Sequence, residues 1–307
     1  MSVIRTVAGD IDTAEFGVCD SHDHLFFRSE LLPGQELDDA QAAEAEARAF
    51  AGLGGQAIVQ WTPFGLGRRA ELLPGISGAT GVHIVAATGL HQAAHYPPGV
   101  VDDVMGKLAE LFISELTVGL RGDDGSVLDA KAGMIKVAGA FHGLDDHART
   151  VMTAAAEAGL ATGASIGIHL EHGSAALDVL KLLCDDLAVP ADQVILGHLN
   201  RFPDPYTLKQ AAETGAFLAF DGPSRANQAT DWRLIGAVAE LAAAGHGGQL
   251  LLGGDTTTAR ARAVSGDGPG MPYLLSSVRP QLTREIGAAA VHAILVANPA
   301  RAFAFAD

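Results

Sequence analysis

Eight short apolar runs recur along the chain, separated by Ala-rich stretches with helix-like spacing. The runs are residues 17–25 (GVCDSHDHL), 56–62 (QAIVQWT), 83–90 (HIVAATGL) and 133–138 (GMIKVA) in the first half. Residues 164–171 (ASIGIHLE), 193–200 (QVILGHLN), 216–222 (AFLAFDG) and 249–255 (QLLLGGD) follow. Most are nearly continuously apolar rather than alternating, as parallel strands covered on both faces are. Between them, residues 38–52, 145–159, 173–187, 205–214 and 231–245 read as helices, several stopping at or just before a glycine. Eight strand–helix units predict an α/β fold, a single-domain (β/α)8 TIM barrel over residues 1–307, closed by a helix around 285–296. An open doubly wound sheet is the alternative and would bind a ligand at a switch point. No Pro/Ser-rich linker divides the chain, and residues 65–75 and 266–270 read as loops at the barrel mouth.

Charge and composition narrow the function classes. With 20 Lys+Arg against 36 Asp+Glu, the formal net charge is −16, which repels phosphate backbones and argues against nucleic acid as a partner. No run approaches the roughly 18 apolar residues of a membrane span, and residues 1–12 hold no apolar leader segment. Cys19 and Cys184 stand far apart, so neither a disulfide framework nor a thiolate zinc site is expected, and Cys19 reads as a core residue. A cytoplasmic protein acting on a small molecule is the expectation.

In a barrel the last residues of the strands gather at one mouth, where chemistry is done. The first run ends in His22-Asp23-His24, the fourth carries Lys136, and the fifth and sixth end at His169 and His198. The seventh and eighth end at Asp221 and Asp255. His22 and His24 are two apart, so on a strand they share a side and can grip one ion. Imidazole and carboxylate suit zinc, and His169, His198 and Asp255 can complete one or two sites. A single barrel histidine is more simply a hydrogen-bonded core residue, but that reading would need several coincidences at one mouth. Lys136, flanked by Met134, Ile135 and Val137, suffers a desolvation that disfavours its charged form. It can be a Schiff-base nucleophile, an ion-pair partner or an amine modified by CO2. The third fits best beside histidines and an aspartate, because a carbamate is an anion with two oxygens, whereas an ammonium would repel metals.

These residues, in this order, resemble the phosphotriesterase family of the amidohydrolase superfamily. The strings CDSHDHL, HIVAATGL, AGMIKVA, VILGHLN, LLLGGD and NPARAF resemble it over nearly the whole chain. The resemblance implies one divalent metal held by His22, His24 and Asp255, and a second by His169 and His198. Carboxylated Lys136 and a hydroxide would bridge them, with zinc the first choice of metal. It implies a metal-dependent hydrolase in which that hydroxide attacks and Asp255 is the catalytic proton shuttle. A homodimer is also implied.

The stretches 198–206 and 220–225 look most like the lactonase branch of that family, including its phospho-sugar lactonases. Arg225 would then clamp a substrate anion. The sequence departs from the branch after Arg225 and around Asp255-Thr-Thr-Thr-Ala-Arg260, where Arg260 and Arg262 would have to substitute. His91 and Tyr96 are expected to line the substrate pocket, and Trp61 to pack. Residues 65–70 resemble a G-x-G-x-x-A dinucleotide turn but lack the acid about 20 residues on. They read instead as a turn with Arg68 or Arg69 near the mouth. Three classes therefore stand: a binuclear lactonase, a phosphoesterase or amidase on the same site, and a non-catalytic metal-binding barrel.

Overall fold

Each apolar run forms one strand in the computed structural model, which describes residues 2–223 and 229–306. An antiparallel hairpin, β1 (Val3–Thr6) and β2 (Gly9–Asp12), comes first. Then follow β3 (Cys19–Asp23), β4 (Ala57–Gln60), β5 (His83–Gly89), β6 (Met134–Ala138), β7 (Ile166–His169), β8 (Val194–Gly197), β9 (Phe217–Asp221) and β10 (Leu250–Gly253). From β3 to β10 neighbours in sequence pair in parallel, without a reversal of order. The N–H groups of Gly254 and Asp255 both donate to the His22 carbonyl, at 3.0 and 2.9 Å, tying β10 back to β3. The result is a nearly closed eight-stranded barrel. A doubly wound sheet needs a point where strand order reverses, and this sheet has none.

The near-continuous apolarity of the runs conceals a period of two. Ala57, Val59, Val85, Met134, Ile195 and Leu251 face inward and form one buried cluster inside the barrel. Their neighbours Ile58, Ile84, Ile135, Val194 and Leu250 face outward into the larger cluster shared with the helices. Both faces of each strand are therefore dry, as β/α architecture requires. Inside, Trp61 fills the space above inward-facing Gly167 and Gly197. A Cβ on Gly167 would lie 2.8 Å from the Trp61 ring, and one on Gly197 3.3 Å from it.

The hairpin was not anticipated: β1 carries Arg5 and Thr6 and β2 carries Asp10 and Asp12, so neither reads as an apolar run. It lies against the lower end of the barrel. Val7 donates to the Ile84 carbonyl (2.9 Å), and Phe305 donates to Val3 (2.9 Å).

The anticipated helices form, with changed ends. Asp39, Asp145 and Asp204 each cap a helix by accepting backbone N–H groups of its first turn. The helix expected to stop at residue 159 is Asp146–Thr162 and ends at Gly163, which adopts φ 76°. The closing helix is not continuous across 285–296. Arg279–Ile286 ends at Gly287 (φ 82°, ψ 157°), a conformation no helix interior accepts, and Ala288–His292 starts anew. Helices Leu73–Thr80 and Leu108–Thr117 were not foreseen, and the first begins inside the stretch expected to be loop.

Candidate metal centre

Alternation along a strand brings half of the mouth residues inward without special geometry. Lys136 lies two past inward Met134, His169 two past Gly167, and Asp221 two past Ala219. The other histidines need a local exception. Cys19 faces inward, so strict alternation would turn His22 and His24 outward. Between Asp20 and Asp23 the β3–β4 register shifts, and this bulge turns both histidines in. His198 follows inward Gly197 and would also point out. Its left-handed backbone (φ 64°) reverses it, at a cost of order 1–3 kcal/mol typical of such strain. Asp255 is likewise left-handed (φ 53°).

The converging atoms lie close together. His24 Nε2 and His22 Nε2 are 3.6 and 3.8 Å from Asp255 Oδ1. His22, His198 and Asp255 each offer one donor atom within 4.8 Å of the others. His198 Nε2 faces His169 Nδ1 at 2.8 Å. Beneath them Asp221 presents Oδ1 to His22 Nδ1 (3.1 Å) and Oδ2 to His198 Nδ1 (3.0 Å). His24 Nδ1 contacts the Thr62 hydroxyl at 2.8 Å. The Trp61 ring stacks under His22 with centroids 3.7 Å apart, and its Nε1 donates to Ser21 O. Trp61 thus packs, as expected, and what it packs against is a site residue.

Lys136 is 2% exposed, and no described hydrogen bond or ion pair reaches its Nζ. Burial pushes this amine down to about 7. Burial also lowers His24 to about 4 and His169 to about 3, and takes His198 and His91 well below the usual imidazole range. These rings are therefore neutral at pH 7, the form that can ligate a cation. Burial alone would raise the Asp255 carboxyl, but nearby His198 and the Arg201 guanidinium outweigh it and hold it well below the ordinary range. Neutral imidazoles at His24, His169 and His198, ionised Asp255 and an amine with no partner among the described residues are donors that could hold divalent cations, with His22 beside them.

A cavity of about 490 Å³ opens above this cluster. His22, His24, Lys136, His169 and Asp255 reach it, with Phe27, Leu31 and Leu32 forming an apolar wall. His91 lines it as expected, stacked on His95 with ring centroids 4.2 Å apart. Tyr96 does not. It lies buried behind His91, its hydroxyl accepting the His91 N–H at 2.8 Å, because the turn after β5 folds it back into the core. Arg260 stands at the rim, two-thirds exposed, its nearest carboxylate Asp267 at 4.0 Å. Arg225 lies outside the described residues. Arg68 turns away from the mouth and pairs with Glu115 and the Ala87 carbonyl, bracing a loop against helix Leu108–Thr117.

Two residues of the cavity wall were missed by the sequence reading. Arg201 donates to Asp255 Oδ2 at 2.6 Å, and Glu171 contacts His169 Nε2 at 3.1 Å. The arginine follows His198 in the tight turn Leu199–Arg201, and the glutamate opens the turn after β7. Both stand in the strings used above, but neither has a spacing that marks it.

Known proteins resemble this chain along nearly its whole length. The family model described as the phosphotriesterase family matches residues 2–303. A phospho-furanose lactonase of Mycoplasmopsis synoviae is 29% identical, over 98% of this chain and 91% of that protein. An aryldialkylphosphatase of Saccharolobus solfataricus is 28% identical, over 69% of this chain and 68% of that protein. The crystal structure of a lactonase from Listeria monocytogenes superimposes with a TM-score of 0.89 at 29% identity, all of both chains being covered.

Proposed function

The chain belongs to the phosphotriesterase family of metal-dependent hydrolases, and from that premise we propose that it is a binuclear lactonase opening a small lactone ring. The observation that carries this reading is the convergence of His22, His24, His169, ionised Asp255 and Lys136, whose Nζ no described hydrogen bond or ion pair reaches, on one cavity, with His198 packed behind against His169. Lactonases among its relatives and structural neighbours support the substrate class.

His22, His24 and Asp255 would hold one cation, and His169 and His198 the other. A carbamate on Lys136, formed from its neutral amine and CO2, would join them. When bound, two divalent ions, zinc first among them, would supply a water of lowered pKa and polarise the scissile carbonyl. Asp255 would take the proton of that water and return it to the leaving ring oxygen. Arg201 caps Oδ2 and keeps the carboxylate ionised until that transfer. The apolar wall of Phe27, Leu31 and Leu32 excludes water from one side of the ring. His91 and Arg260 bound the opposite and outer sides, and Arg225 would add an anion contact for a phosphorylated lactone.

The test is metal content per chain together with hydrolysis of a lactone panel, phosphorylated and neutral, against a phosphotriester. The expected result is about two metals and chelator-sensitive lactone turnover, with lower metal content in Lys136→Ala. Turnover of the phosphotriester alone moves the assignment to a phosphoesterase. Unchanged metal content in the variant removes the Lys136 bridge, and absence of metal after reconstitution with bicarbonate leaves only a barrel.

A further inference from the structure

We propose that Glu171 is a positioning residue that holds His169 in the tautomer with hydrogen on Nε2, so that its Nδ1 lone pair faces the metal centre. Glu171 has no role in the ligand set above, yet it is built into place. Its Oε2 accepts the Gln92 side-chain amide at 2.9 Å, and the same amide donates to the Gly139 carbonyl at 2.7 Å. The Glu171 carbonyl accepts the Ser174 hydroxyl at 2.6 Å. Oε2 lies 3.1 Å from His169 Nε2, and Oε1 faces exposed His172 Nε2 at 3.3 Å.

The contacts of His169 give the tautomer. Its Nε2 lies 3.1 Å from Glu171 Oε2 and its Nδ1 2.8 Å from His198 Nε2. An ionised carboxylate has no hydrogen to give, so the Glu171 contact is a hydrogen bond only with the hydrogen on His169 Nε2, whereas the contact between the two rings can take its hydrogen from His198. Hydrogen bonds to a carboxylate are about twice as strong as neutral ones, so the Nε2–H form is favoured. His169 Nδ1 is then left with a lone pair directed toward His198 and the space between the proposed ligands. A carboxylate behind a ligating imidazole fixes its ring and raises its basicity, and losing it typically weakens metal binding roughly 10–100-fold.

The affinity half of this inference rests on the metal-centre reading, whereas the tautomer half does not. The experiment compares the full chain with Glu171→Ala and Glu171→Gln, each shown folded by its thermal melt. Long-range proton–nitrogen NMR after chelator treatment reads the His169 tautomer, assigned by its loss in His169→Asn, and competition with a chromophoric chelator reads zinc affinity. The expected result is an Nε2–H ring in the parent. Glu171→Ala should lose that preference and weaken zinc binding roughly 10–100-fold. Glu171→Gln, whose amide oxygen still accepts the hydrogen, should recover most of both. An Nδ1–H ring in the parent, or weaker zinc binding in Glu171→Ala with the tautomer unchanged, overturns the proposal. Equal loss in the Gln and Ala variants also overturns it, because a residue acting through its charge or as a direct ligand would not be rescued by an amide. Failure of the parent to bind zinc would sink the metal-centre reading, and the NMR comparison would still decide the tautomer.

Discussion

Asp255 carries two demands that pull against each other. As a ligand it must stay ionised although only 3% exposed, and as a proton shuttle it must accept a proton. Arg201 favours the first, since a guanidinium 2.6 Å from Oδ2 stabilises the anion. Removing that cation as Arg201→Met raises the Asp255 carboxyl toward the ordinary range. Protonation then sets in at higher pH, so the acidic limb of the kcat/KM profile should move upward in pH. Zinc binding should weaken more at pH 6 than at pH 8. A pH–rate series on parent and variant checks this, and superimposable acidic limbs would show that Arg201 does not act on Asp255. His198 shows how a single residue departs from its strand, since only its left-handed backbone turns it in beside His169.

β3 departs from regular pairing, and that departure places both His22 and His24. Its bulge is held by two carboxyl side chains rather than by the ladder. Asp20 Oδ1 accepts the His22 and Gly254 N–H groups, each at 3.2 Å. Asp23 Oδ1 accepts those of His24 at 2.7 Å and Thr256 at 2.9 Å. The same side chains thus form the bulge and fasten it to the loop after β10, where Asp255 stands. Asp23→Ala leaves two buried N–H groups without partners, at roughly 1–3 kcal/mol each. Denaturant unfolding should show a loss of that size, and zinc affinity should fall with it as His24 loses its setting. A stability within about 0.5 kcal/mol of the parent, the range of ordinary surface changes, would mean that the bulge is held by something else.

The proposed ligands come from β3, β6, β7 and from the ends of β8 and β10, so a bound ion ties together strands from both halves of the barrel. Any ligand that binds the folded chain alone stabilises it, by about 2.7 kcal/mol at a hundred times its Kd. Calorimetry of chelator-treated protein, repeated after zinc is added back, should therefore give a higher Tm with zinc. The rise should disappear in a His22/His24 double alanine variant. An equal rise in that variant would place the zinc elsewhere on this acidic surface, whose net charge of −16 attracts cations without a built site.

The order of elements was legible because it is a local property. Apolar runs of strand length alternating with amphipathic stretches leave a periodic trace, and eight of them permit few closures. Chemistry-bearing residues at the ends of those runs could be found the same way, since the period of a strand tells which residues share a side. Other features have no local trace. The β3 bulge depends on carboxyl side chains reaching a loop more than 230 positions away. Arg201 meets Asp255 across 54 positions, and Gln92 meets Glu171 across 79. Tyr96 looked like a pocket residue by its place in the chain, but the turn after β5 carried it behind His91. The sequence by itself determined the barrel and most of the candidate ligands, because strand periodicity and apolar burial act between near neighbours. Only the tertiary structure decided how those side chains are oriented and which charges stand behind them, because a hydrogen bond or ion pair depends on distances set by closing the whole barrel.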